Sequence, residues 1–207
     1  MRRRYKLKRR AQQQRDTRRR IVEATIELHS KFGPMRTSIL AIAERAGVER
    51  PTVYRHFPTT DELFATCSDH YWKRHPLPDP DSWRGIGDPV IRLRHGLKQL
   101  YAYYRQHELT LWNVLRDLED HPELRRFARH PIERLQQSAE VLSTGWRRRG
   151  QAPAWLQAGL GHATDFFAWR SLRRQGLSDG KVVEFMRTMV AAFAAQRTTR
   201  EPIRPLR

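Results

Sequence analysis

A glycine set between two short apolar-periodic runs constrains this chain more than any other feature. In residues 36–64, RTSILAIAERAGVERPTVYRHFPTTDELF, the side chains Ile39, Ile42, Ala43 and Ala46 recur at three- and four-residue spacing and share one helical face. Gly47 follows as a left-handed stop, because only glycine takes positive φ without a Cβ penalty. Val48, Val53 and Phe57 then open a second apolar set, and Pro51 is tolerated in a first helical turn. Two short helices about a tight glycine turn make a helix-turn-helix, whose second helix fits a DNA major groove.

The flanks extend this unit. Ile21, Ala24, Thr25, Leu28 and Phe32 predict a helix from about Asp16 to Phe32, stopped by Gly33-Pro34. With the two helices that follow, it makes a three-helix head. Thr37 is the expected N-cap of the second helix, and Thr59 with Glu62 has the spacing of a capping box opening a fourth. On the third helix, Arg50, Thr52, Tyr54, Arg55 and His56 are free to face DNA. Arginine reads guanine bidentately, threonine meets a base edge or thymine methyl, and tyrosine and histidine suit phosphates. The alternatives are a core aromatic at Tyr54 and a helix-end cap at His56.

Charge points the same way. The net charge is +18, and residues 1–20 hold 11 basic side chains against one acid. Residues 1–15 are too polar to bury anything and read as a disordered arm, either solvated or touching phosphates and the minor groove. A single cysteine, Cys67, excludes an intrachain disulfide and a cysteine-based zinc site and fits a cytoplasmic protein. No apolar run approaches the ~18–20 residues of a membrane span, and no apolar segment follows the basic start, so no membrane partner is expected.

The rest of the chain reads as amphipathic helices. An apolar stripe of Leu63, Phe64, Cys67, Tyr71 and Trp72 predicts a helix from Asp61 to His75. The proline-rich residues 76–89 predict a loop in which Trp83 folds back. Helices are expected over Val90–Gln106 and Leu109–Leu118, and Pro131 either kinks or divides the run reaching Arg149. Pro153 opens a helix to about Gln175, Gly176 and Ser178 supply caps, and a last helix ends near Ala195. No zinc-protease motif, phosphate-binding glycine loop or nucleophile elbow is present, so neither enzyme, cofactor nor metal is expected. His107, Glu108 and His121 read as capping or solvated groups rather than ligands.

GVERPTVYRHF followed by a capped helix resembles the tetracycline-repressor (TetR) family of bacterial transcriptional regulators, over about residues 17–66. The matching positions include Ala24, Leu28, Phe32-Gly33, Ile42-Ala43, Ala46-Gly47-Val48 and Tyr54-Arg55-His56-Phe57. The resemblance implies DNA contacts from Arg50, Pro51, Thr52, Tyr54 and His56, and Thr37, Arg55 and Thr60 complete the expected DNA-binding set. Thr60 stands where the family usually carries a phosphate-binding lysine, and Leu40 where some members carry a base-reading arginine. WRSLRRQGLSDGKVVEFM resembles the last two helices of family members, which pair with their copies as a four-helix dimer interface. Leu160, Ala163, Val182, Met186, Met189 and Phe193 are its expected residues, the alternative being a seam within one chain. Tyr71, Tyr101, Tyr104, Trp112, Trp146 and Phe167 are the expected ligand-pocket residues, against ordinary aromatic packing.

The expected architecture is all-α: a basic arm (1–15), a helix-turn-helix domain (16–60) and a helical ligand-binding and dimerisation body (61–207). The implied function is a homodimeric regulator, a repressor released from a palindromic operator in double-stranded DNA by a small apolar or aromatic effector. The competing reading is a basic scaffold that binds nucleic acid or an anionic surface through the arm.

Overall fold

The computed structural model describes residues 2–146 and 154–195, and among them the regular structure is helical, with no strand. The chain divides into two compact units, Met1–Leu77 with Tyr103–Glu133, and Pro78–Ala102 with Arg134–Arg207.

The first unit begins with α1 (Arg2–Phe32), far longer than its apolar stripe. The residues expected to form a disordered arm are its first turns. Lys, Arg, Gln, Ala and Leu are all good helix formers, and neither glycine nor proline occurs before Gly33. Hydrogen bonds between Gln12 and Asp16 (3.1 Å) and between Arg15 and Gln12 (2.8 Å) add support at i,i+3 and i,i+4. Charge kept this stretch out of the core without keeping it from being helical.

Next come α2 (Ile39–Ala46), α3 (Arg50–His56) and α4 (Thr60–Arg74). Ile21, Val22 and Ala24 of α1 pack with Ile42, Ala43 and Ala46 of α2, Val53 and Phe57, and Leu63 and Cys67 of α4. Gly47 has φ +62°, and Val48 N–H reaches back to Ala43 O at 3.0 Å, closing α2 as the sequence implied. The cap of α2 is Ser38, whose hydroxyl accepts the Ala41 N–H at 3.1 Å, and not Thr37. Thr37 lies in the preceding turn, its N–H bonded to Pro34 O and its hydroxyl donating to Gly33 O at 2.8 Å. Thr59 caps α4 by accepting the Glu62 N–H. The unit is completed by α6 (Glu108–Asp120), a 3₁₀ segment at Pro122–Phe127, and the ends of α5 (Pro89–Gln106) and α7 (Arg129–Ser143).

The second unit is built on the rest of α5 and α7 with α8 (Ala154–Thr164), α9 (Phe166–Arg174) and α10 (Asp179–Ala195). The loop tryptophan does fold back: Trp83, in a 3₁₀ turn at Pro80–Trp83, is fully buried and donates its indole N–H to Gln99 Oε1 at 2.9 Å. Gly96 lets α5 approach it, since a Cβ there would lie 3.2 Å from the Trp83 ring and 2.9 Å from Leu142. Pro131 lies in the first turn of α7, where a missing N–H costs nothing, so it marks a boundary and not a kink. The helix expected to reach Arg149 ends at Ser143; residues 147–149, like Pro153, lie outside the described residues. The single helix expected to reach Gln175 is two. Asp165 is extended (φ −76°, ψ 134°) and accepts the Ala168 N–H at 2.7 Å, starting α9 anew. Between α9 and α10, Gly176 has φ +87° and Ser178 Oγ accepts the Lys181 N–H.

Candidate nucleic-acid interface

On α3, burial separates two faces. Val53 and Phe57 are fully inside, whereas Arg50, Pro51, Tyr54 and Arg55 are exposed and Thr52 and His56 half-buried. Tyr54 therefore belongs to the outer face and is not a core aromatic. Arg50 lies over its ring at 5.6 Å and donates to its hydroxyl at 3.3 Å, an i,i+4 pair that pre-orders a long cation beside an aromatic donor. Pro51 in the first turn fixes φ at the helix start and leaves no N–H to satisfy. Thr60 is exposed at the start of α4, and Leu40 is exposed on α2.

The far end of α3 is braced from α1, where the Arg18 guanidinium sits 4.0 Å from the Phe57 ring centroid. His56 titrates below the ordinary histidine range, first because it is partly desolvated and then because Arg18 and Arg55 repel a proton there. Arg45 of α2 holds Glu27 of α1 through its Nε at 2.9 Å.

A set of polar side chains that periodicity did not reveal holds the C-terminal end of α1. Asn113 Nδ2 donates to Ser30 O (2.9 Å) and Lys31 O (3.0 Å), and Arg116 Nη2 donates to Phe32 O (3.1 Å). Asp117, buried, accepts the Met35 N–H at 2.9 Å and pairs with Arg116 at 2.7 Å. Asn113 and Arg116 thus satisfy carbonyls a helix end leaves open, and Asp117 takes the N–H of the turn that follows. The legible signal was two short polar residues at i,i+4, Asn113 and Asp117, in a helix whose other buried positions are leucines.

The expected ligand residues are divided between the two units. Tyr71, Tyr104 and Trp112 lie in the first unit and Tyr101, Trp146 and Phe167 in the second. Tyr71 is 3.1 Å from His107 Nδ1. Tyr101 is buried and donates to Ala163 O at 2.7 Å, and Trp146 donates to Leu142 O at 2.7 Å. In the first unit a cavity of about 70 Å³ lies among α1, α4 and α6; of the six, Tyr71 is on its wall. Of the expected dimer residues, Leu160, Ala163, Val182 and Met186 are buried in the α8–α10 part of a single chain, and Met189 and Phe193 are half-buried. Phe193 packs over Gly159, where a Cβ would come within 2.8 Å of its ring. Among the described residues no cluster of histidine, cysteine and carboxylates is arranged to hold a metal, and no helix is long and apolar enough to cross a membrane.

Residues 21–67, which span this head, match the model of the bacterial regulatory proteins of the tetR family. The chain is 25% identical over 122 residues to the HTH-type transcriptional regulator EthR of Mycolicibacterium smegmatis, covering 58% of this chain and 56% of that protein. It is 36% identical over 80 residues to the HTH-type transcriptional repressor KstR of the same organism, covering 39% of each. The matches thus span about half or less of the length of these relatives. A TetR-like transcriptional regulator from Rhodococcus sp. RHA1 superposes with a TM-score of 0.60 at 17% identity, covering 87% of this chain and 97% of that one, a likeness of fold. Head geometry and family match agree over residues 21–67, where the chain is similar to the bacterial regulatory proteins of the tetR family.

Proposed function

We propose that the protein is a DNA-binding transcriptional regulator that acts as a homodimer and lays α3 of each subunit into successive major grooves. The observation that carries this reading is the split of α3 into a wholly buried edge, Val53 and Phe57, and an exposed edge bearing the paired Arg50 and Tyr54. A helix held this way presents base- and phosphate-reading groups in a fixed register. The names of the two relatives, a regulator and a repressor, support repression as the outcome. Release by a small apolar effector is supported by the apolar cavity among α1, α4 and α6 of the first unit. Because Leu160, Ala163, Val182 and Met186 are buried within one chain, the copy-to-copy contact uses the outward side of α8 and α10, where Phe185 is half exposed.

An electrophoretic shift assay on DNA upstream of the protein's own gene tests the reading. The expected result is a salt-sensitive, sequence-preferring complex that Arg50→Ala and Tyr54→Ala each weaken by about 5- to 150-fold, the range of one good base contact. Both positions are exposed, so the variants keep the fold. No sequence preference at any protein concentration, or unchanged affinity in both variants, overturns it.

A further inference from the structure

The cavity in the first unit combines an apolar wall with one unsatisfied polar atom. Ile26, Phe64, Leu111, Leu118 and Phe127 supply much of the wall. His29 also lines it; the residue is 93% buried, taking its 7% exposure, and its Nε2 has no hydrogen-bond partner. A buried polar atom without a partner is costly, and such atoms in native proteins generally answer to something. The neighbouring contacts fix what that something must offer. The Cys67 thiol donates to Phe64 O at 3.2 Å, which leaves its sulfur as an acceptor for the His29 Nδ1–H at 3.7 Å. With the ring proton on Nδ1, Nε2 carries a lone pair. Burial keeps the ring neutral, and the edge of His29 against the Phe64 ring at 4.6 Å holds its plane.

We propose that this cavity is a ligand site for a compact, uncharged, apolar molecule bearing one hydroxyl or N–H, which it donates to His29 Nε2. A carboxylate is excluded twice over, because it has no proton to give and the wall offers no cation. At about 70 Å³ the space holds a few heavy atoms, less than the ~150 Å³ that accepts a benzene ring. Half-exposed Tyr71 and Trp72 on the wall leave a route for a longer apolar tail. The site supplies a seat for the effector of the function proposed above and rests on that reading only for its regulatory consequence.

The test uses two isomers of one formula, 1-butanol and diethyl ether, titrated into the full-length protein without DNA. Binding is followed by the ¹⁵N resonances of the histidine rings. The alcohol is expected to bind about three- to tenfold tighter, the margin of one net hydrogen bond, and to move the His29 Nε2 signal on saturation. His29→Leu is expected to erase the difference between isomers, and Val114→Phe, which narrows the cavity, to weaken both. Equal affinities, saturation with an unmoved His29 signal, or no saturable binding overturns the assignment. Should His29→Leu fail to fold, the isomer comparison on the wild type still decides. Since no DNA is present, failure here leaves the DNA-binding reading standing on its own assay.

Discussion

Replacing Gly33 by alanine tests the link between α1 and α6 most directly. Gly33 follows α1 with φ +97°, a conformation L side chains rarely adopt, and alanine there costs about 1–3 kcal/mol in backbone strain. The new Cβ also meets Asp117 Oδ2 at 2.4 Å and Arg116 Nη2 at 2.8 Å. Asp117 is short and buried, so it cannot yield without dropping the Met35 N–H it holds at 2.9 Å. A hydrogen bond to a charged acceptor is worth about 1.5–3 kcal/mol, which puts the total loss at about 2.5–6 kcal/mol. With a urea m-value near ~2 kcal/mol/M, the unfolding midpoint should fall by roughly 2 M. The clash part can be isolated with Asp117→Ala as a second background. There the Cβ has no carboxylate to strike, and Gly33→Ala should cost only its backbone share, so the double variant is less damaged than the sum. A Gly33→Ala protein within about 0.5 kcal/mol of wild type, or strict additivity of the two changes, would refute the reasoning.

Burial drops the His29 pKa to about 4 from the ordinary 6.5, so the unfolded chain takes up this proton first as pH falls. The contribution is whole above pH ~6.5 and disappears towards pH ~4, about 3 kcal/mol in all, and urea unfolding should show it shrinking in His29→Leu. Cys67 is buried with its thiol pushed up to about 12, so iodoacetamide should spare it in the native protein and label it on denaturation. Fast native labelling would mean that α4 is not seated as described. Deleting residues 2–15 should preserve site preference while lowering the log–log salt slope by about 0.9 for each phosphate the arm no longer neutralises. Loss of all binding on that deletion would favour the scaffold reading.

The head was legible because its signals are local. A glycine turn, a proline start and apolar spacing of three and four are properties of neighbouring residues, and Gly47, Pro51, Ile42 and Val53 sit where that pattern puts them. The failures came where two local answers compete. Ser38 and Thr37 are both able caps, and the turn at Pro34 decides by using Thr37 for itself. Asp165 interrupts an apolar run that periodicity joined, because its carboxylate serves a fresh N-terminus better than a helix interior. Val182 and Met186 show a different limit. An apolar stripe announces that it will be covered, not whether the cover is a helix of the same chain or of a copy.

The two ways α1 is held have different mechanical consequences. Along its middle, Ile21, Val22 and Ala24 meet α2 and α4 through apolar contact, which is non-directional and survives small sliding. At its end, α6 grips backbone carbonyls at 2.9–3.1 Å through Asn113 and Arg116. A displacement of about 1 Å stretches such bonds past the ~3.2 Å limit of useful geometry, and the carbonyls and side chains involved are then left unsatisfied together. The end of α1 and α6 therefore move as one piece or part abruptly, while the packing around Ile21 adjusts by degrees. Arg18 lies on the same helix and braces Phe57 at the end of α3. A shift of α6 that keeps its grip is accordingly transmitted along α1 to the helix that carries Arg50 and Tyr54.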